Sequence, residues 1–143
     1  MDINKAKANR ARWFDIVTRS GEFAVLVEPF GNRDWRNKYK QLTAPYARHM
    51  RMHDGELPDG KSDEVLIRCT AETILKDWKG ITDGEDDVPF SVDRAVEFLT
   101  EIDDFRNGVS DAALTLSKVY AAEKDDSEKN SASASAGTSL SAA

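Results

Sequence analysis

The sequence predicts an α+β protein, mostly α: an N-terminal β-hairpin packed on a bundle of about four helices, with a disordered C-terminal tail. Three observations carry that expectation. Two runs rich in β-branched and aromatic residues, Trp13-Phe14-Asp15-Ile16-Val17-Thr18 and Glu22-Phe23-Ala24-Val25-Leu26-Val27-Glu28, flank the glycine-containing loop Arg19-Ser20-Gly21, the signature of two strands joined by a tight turn. From Trp35 onward, apolar residues recur at helical spacing. After Lys124 the chain falls largely to serine and alanine with scattered charges, a composition with too little apolar surface to form a core.

A chain of 143 residues suits one domain with a single core. The expected organisation is a basic flexible arm over 1–12, one helical domain with its hairpin over 13–123, and the Ser/Ala-rich tail over 124–143. At 40% hydrophobic and 32% charged residues the chain reads as globular with a well-solvated surface, and a net charge of −6 disfavours wholesale binding of nucleic acid. Cys69 is the single cysteine, which fits a reducing compartment. No apolar run approaches the ~20 residues that span a bilayer. The basic start, with Lys5, Lys7, Arg10 and Arg12, has no apolar stretch behind it and is not a secretory signal. The cytoplasm is the expected location, with no membrane partner.

In the hairpin, alternation puts Phe23, Val25 and Val27 on one face, while Trp13 and Val17 share a face of their own strand. Pro29 ends the second strand. Two strands alone are marginal in water, so the hairpin must lie on helices, and it can offer an open edge to another chain. Gly31-Asn32 breaks the chain before a helical segment from Trp35 to about Met52, with Trp35, Tyr39 and Leu42 in one stripe and a kink or a division into two helices expected at Pro45. Asp54-Gly55 to Asp59-Gly60 is a loop. Ser62-Asp63-Glu64 then reads as a capped helix start, and Val65, Ile67, Cys69, Ala71, Ile74, Leu75 and Trp78 predict a well-buried central helix running to Trp78. A further helix starts at Ser91 with Val92, Ala95, Val96 and Leu99. The last restarts at Asp103 or Asp104 and includes Phe105, Val109, Ala112, Ala113, Leu116 and Val119.

Candidate chemistry is sparse. His49 and His53 are spaced to share a metal on a helix, but a third ligand is missing. The acidic run Asp83-Gly84-Glu85-Asp86-Asp87 resembles a calcium loop only in acidity, because Val88 and Arg94 occupy the places of the required glycine and carboxylate. Cys69 lies in the most apolar helix and reads as a core residue. No catalytic triad order, glycine-rich phosphate loop or dinucleotide fingerprint is present, so neither an enzyme nor a cofactor is expected.

Charge, by contrast, is strongly segregated. Residues 33–52 carry six bases against one acid, and residues 83–104 carry nine acids against one base. Such segments pair inside a fold, or between copies arranged head to tail, so a homo-oligomer is expected.

The stretch from Trp78 to Ser91 organises the rest. Gly80 stands where a helix C-terminus wants a left-handed residue, Asp83-Gly84 is a turn signal, and Pro89 leads to the N-cap Ser91. Trp78, Ile81, Val88 and Phe90 are expected to clamp the helices on either side.

The order of these signals resembles the tail assembly chaperones of long-tailed bacteriophages. The resemblance rests on the hairpin ending in Pro29-Phe30-Gly31-Asn32 and the helix reaching Ala44-Pro45-Tyr46. It rests further on Ile74-Leu75-Lys76-Asp77-Trp78-Lys79-Gly80-Ile81-Thr82-Asp83, the acidic turn, and Val88-Pro89-Phe90-Ser91. It covers roughly residues 13–120. It implies a non-enzymatic protein that coats the tape measure protein before the tail tube polymerises, acts in the host cytoplasm, and is absent from the mature virion. Many such proteins also exist in a frameshifted long form that recruits tail tube protein, and a chain ending in a low-complexity tail fits the short form. The client is expected on the apolar surface around Trp78, Ile81 and Phe90 and on the hairpin edge with Phe23, Val25 and Val27. The competing expectations are a structural minor tail or neck component and a small nucleic-acid-binding regulator working through residues 33–52.

Overall fold

The computed structural model describes the backbone of every residue except Asn9 and Ala143, and the side chains of all but 7–9 and 127–143. The expected hairpin is present. Strand β1 (Arg12–Thr18) pairs antiparallel with β2 (Gly21–Val27), Trp13 opposite Leu26 and Thr18 opposite Gly21. Thr18 closes the turn: its Oγ1 donates to the Gly21 carbonyl at 2.9 Å and accepts from the Ser20 amide at 3.2 Å.

Beyond the hairpin the structure departs from the sequence reading. Helix α4 (Lys61–Cys69) loosens into one π turn (Thr70–Ile74), and the chain then becomes a third strand, β3 (Leu75–Lys79), antiparallel to β2. Trp78 therefore closes a strand, not a helix. The helical spacing that misleads here has a local cause. Val27 faces Leu75 and Val25 faces Trp78, so a two-residue step on β2 meets a three-residue step on β3, the register slipping through a bulge. A bulged strand with buried residues three apart looks, in one dimension, like a helix. Pairing with β2 prevails because it satisfies β2's second edge and buries Leu75 and Trp78 against Val27 and Val25.

The strand order β1-β2-β3 makes β2 the middle strand. Val25 and Val27 are wholly buried, which corrects the expectation that they lie on an open hairpin edge. The outer strands are β1 and β3.

Helix α2 (Arg33–Thr43) is capped by Asn32, whose Oδ1 accepts from the Trp35 amide at 2.8 Å. The Asn32 Nδ2 also donates to the carbonyls of Pro29 and Thr73, at 3.0 and 3.2 Å, tying the hairpin exit to the π turn. Pro45 breaks the next segment as expected, with a 3₁₀ turn (Ala44–Tyr46) before α3 (Ala47–Met52). The start of α4 differs from expectation: Gly60, at φ 80°, precedes its first residue, so Ser62 lies inside the first turn and does not cap it.

After β3, Gly80 at φ 79° turns the chain so tightly past β2 that a Cβ there would sit 3.4 Å from the Glu22 carbonyl oxygen. A two-stranded ribbon follows, β4 (Thr82–Asp83) and β5 (Asp86–Asp87), with Gly84 in its turn at φ 66°. Ser91 caps α5 (Val92–Glu101), accepting from the Arg94 amide at 3.1 Å. Ile102 separates α5 from α6 (Asp103–Ala142). Along α6 the buried residues are Phe105, Val109, Ala112, Ala113 and Leu116, whereas Val119 is exposed. The tail expected over 124–143 falls almost wholly on residues whose side chains lie outside the description.

At the other terminus a short helix, α1 (Ile3–Ala8), precedes Arg10, which docks on the body of the fold. Its guanidinium is 2.9 Å from the Glu28 carboxylate, and its carbonyl accepts from the Tyr120 hydroxyl at 2.9 Å. The core itself lies between the inner face of the sheet and the elements π turn, α5 and α6.

Candidate partner-binding surface

The residues expected to hold a partner converge, but as core. Trp78 sits edge-on to Phe90 (5.0 Å between centroids) and Phe105 (5.8 Å), and lies 5.4 Å from Phe98. Phe23 stacks on Phe105 at 5.5 Å. The Trp78 indole N–H donates to the Val88 carbonyl at 2.7 Å, closing the acidic ribbon onto the strand that precedes it. The clamp around Trp78, Ile81, Val88 and Phe90 is therefore real, but it joins a strand to a helix and spends its aromatic surface internally. Trp78, Val25 and Val27 are buried, and a fully buried side chain has no surface to offer a client. Phe23, Ile81 and Phe90 are half-buried, and Phe23 and Ile81 border a shallow groove of about 190 Å³ with Phe98, Ile102 and Phe105. Phe98, which sequence reasoning did not single out, belongs to α5, and Phe105 to α6.

Accessible apolar side chains also lie on the other side of the sheet. Alternation sends Phe14 and Ile16 inward and leaves Trp13, Asp15 and Val17 facing out, with Val17 at 74% exposure. The register extends that face into cross-strand rows: Trp13–Leu26–Asp77, Asp15–Ala24–Lys79, and Val17–Glu22. The Lys79 ammonium lies 4.0 Å from the Trp13 ring centroid, a cation–π contact reaching diagonally across the sheet. Leu26, Ala24 and Trp13 take no part in the core cluster. Trp13 and Val17 sharing a face was legible in the sequence; that three strands would build the surface was not.

A second feature is the carboxylate of Glu28, 2% exposed and held between Arg10 and Lys76, each at 2.9 Å. Lys76 is the extra residue of the β3 bulge, so the irregularity that shifts the register also delivers a cation to this buried charge. Two cations on one carboxylate offset its desolvation. The cluster ties the N-terminal arm, the hairpin exit and β3 into one unit, and its role is structural.

The remaining sequence candidates are placed as follows. His49 and His53 stack at 4.1 Å, and among the described residues no group of three or more His, Cys, Asp or Glu is arranged to hold a metal. Cys69 is wholly buried, and burial pushes its thiol up to about 11. In the basic segment Trp35 stacks on Tyr39 (5.2 Å) and lies tilted against Phe30 (4.9 Å), and Lys38 pairs with Glu72 at 3.2 Å. Among the described residues no ion pair joins the basic segment to the acidic one. No helix among them is long and apolar enough to cross a membrane.

Comparison with protein families gives a match to the YdaY prophage protein model over residues 30–130 of this chain. The chain belongs to the YdaY prophage protein family. It is thus a phage-derived protein. The YdaY match runs from the hairpin exit through α2, the π turn, β3, the acidic ribbon and α5 into α6, and so includes the whole stretch from Trp78 to Ser91. No curated protein and no solved structure matches the chain.

Proposed function

We propose that this phage-derived chain is a tail assembly chaperone that binds the tape measure protein and keeps it soluble until the tail tube forms around it. The observation carrying the reading is the stretch 78–91: a buried tryptophan, a glycine turn, an acidic ribbon and a Pro-Phe-Ser helix cap. That stretch resembles the phage tail chaperones and lies inside the region shared with a prophage family. An open sheet face with exposed apolar side chains also supports a protein-binding role. The chain then works in the host cytoplasm without catalysis, and is missing from mature particles. A frameshifted long form would bring in tail tube protein.

Self-association belongs to the same proposal: among the described residues no ion pair joins the basic segment to the acidic one, so charges of the one can meet the other on a second copy. Light scattering at high protein concentration and low salt should show a mass above the monomer that falls as salt rises. An unchanged monomer would remove this part of the proposal.

The decisive test is affinity capture with tagged chain from phage-producing cells, with mass spectrometry of the captured material and of purified virions. Tape measure protein in the capture, together with no trace of this chain in virions, is the expected result. Recovery of the chain in virions would make it a structural tail or neck component instead.

A further inference from the structure

We infer that the outer face of the β1-β2-β3 sheet docks a single amphipathic helix of two to three turns with an apolar stripe and basic flanks. This rests on the chaperone reading and names the client segment by its chemistry.

The dimensions select a helix over a second globular surface. Trp13 to Val17 spans about 13 Å along the strand, and three strands are about 10 Å across between their axes. One helix about 10 Å wide fills that area, and 13 Å of it is about nine residues. A surface of this size, roughly 130 Å² from the same spacings, falls well short of the ~800 Å² per partner that a stable dimer needs.

Charge then selects the flanks. Three acids stand among the apolar residues: Asp15 between Trp13 and Val17 on β1, Glu22 opposite Val17, and Asp77 opposite Leu26. Among the described residues the face carries one base, Lys79, whose ammonium is engaged over the Trp13 ring. A face on which acids stand among apolar residues is complementary to an apolar stripe edged by lysine or arginine, and it repels an acidic helix. Displacing Lys79 from Trp13 would widen the apolar centre by one indole face as the helix seats.

The probe is a fluorescein-labelled 18-residue Leu/Lys helical peptide, with a Leu/Glu peptide of the same pattern as its inverse, titrated against full-length protein and followed by anisotropy. The Leu/Lys peptide should bind, more weakly in 0.5 M salt, and the Leu/Glu peptide should not. The double variant D15K/E22K and, separately, Val17→Asp should each lower affinity at least tenfold while keeping the wild-type circular dichroism spectrum; all three positions are exposed. Variants binding within twofold of wild type would overturn the inference. So would equal binding of a proline-interrupted Leu/Lys peptide, which cannot form the helix, or a wild-type dimer that D15K/E22K turns into a monomer.

Capture from phage-producing cells separates this inference from the reading beneath it. Wild type and D15K/E22K taking equal amounts of tape measure protein would overturn the docking face and leave the chaperone reading standing. Wild type taking no tape measure protein would remove the chaperone reading, while peptide binding lost in the variants would still uphold the docking face.

Discussion

The two faces of one sheet have opposite fates. On the inner face, Phe14, Ile16, Phe23, Val25, Val27, Leu75 and Trp78 meet helices and one another. On the outer face, Trp13, Val17, Ala24 and Leu26 meet solvent, acids and one lysine. Both faces carry several apolar side chains, although acids and a lysine share the outer one. The difference is what lies opposite, and it teaches that apolar character alone does not separate a core from a binding surface. Register does, because each strand sends alternate residues to opposite sides.

The largest effect should come from the inner face. Trp78→Ala removes the centre of the aromatic cluster and the bond to the Val88 carbonyl, and is expected to cost about 3–5 kcal/mol in urea denaturation. A loss below 1 kcal/mol would mean that the tryptophan is not the anchor described above.

Glu28→Gln comes next. It removes the charge shared by Arg10 and Lys76, whose side chains are about one-third exposed at 36% and 35%. Solvent then relieves part of the penalty, so the expected loss is about 2–3 kcal/mol instead of the ~3–5 of a fully buried pair. Proteolysis near Arg10 should quicken at the same time.

Gly108→Ala sharpens the contact between sheet and α6. A Cβ there would lie 2.7 Å from Cγ2 of Ile16. Overpacking costs about 1–3 kcal/mol, against a gain of up to ~1 kcal/mol for alanine in a helix, so net destabilisation is expected. In an Ile16→Ala background the same change should become neutral or favourable, and a persistent loss there would assign the glycine another purpose.

Cys69 gives a pH-dependent prediction. Its thiol is raised from 9.0 to about 11 by burial, so the folded state disfavours the thiolate. The unfolded chain loses that proton first as pH rises, hence stability is kept below pH 9 and falls between pH 9 and 11, by at most about 1.4 kcal/mol per unit. Cys69→Ala should abolish this component of the slope, read as the difference between the two urea midpoints across that range.

The smallest effects belong to the outer face. Lys79→Ala should cost about 0.5–1 kcal/mol through the lost cation–π contact, and Val17→Ser less than ~0.5 kcal/mol. Values as large as those of the inner face would show the outer side to be covered already.

The hairpin, its turn, the break at Pro45, the Ser91 cap and the restart at Asp103 were all legible, because each is written in local chemistry: β-branched runs, a proline, a hydroxyl, an aspartate. The third strand was not. Leu75 and Trp78 carry a spacing that helix and bulged strand share, and only the exposed edge of β2, distant in sequence, decides between them. The same misreading displaced the candidate site. With Trp78 at a helix end, the surface around it seemed available; with Trp78 on a strand against Val25, it is core, and the available surface passes to Trp13 and Val17.

The placement of β3 also bears on synthesis. Strand β2 is finished at Val27, but the strand that covers its second edge begins at Leu75, about fifty residues later, an interval of roughly 3–10 s at ribosomal speeds of about 5–20 residues per second. Throughout that interval β2 is paired on one edge only, with Val25 and Val27 uncovered by β3. Translation speed over the codons for α2 to α4 therefore sets how long this chain is exposed to the aggregation it is proposed to prevent in another.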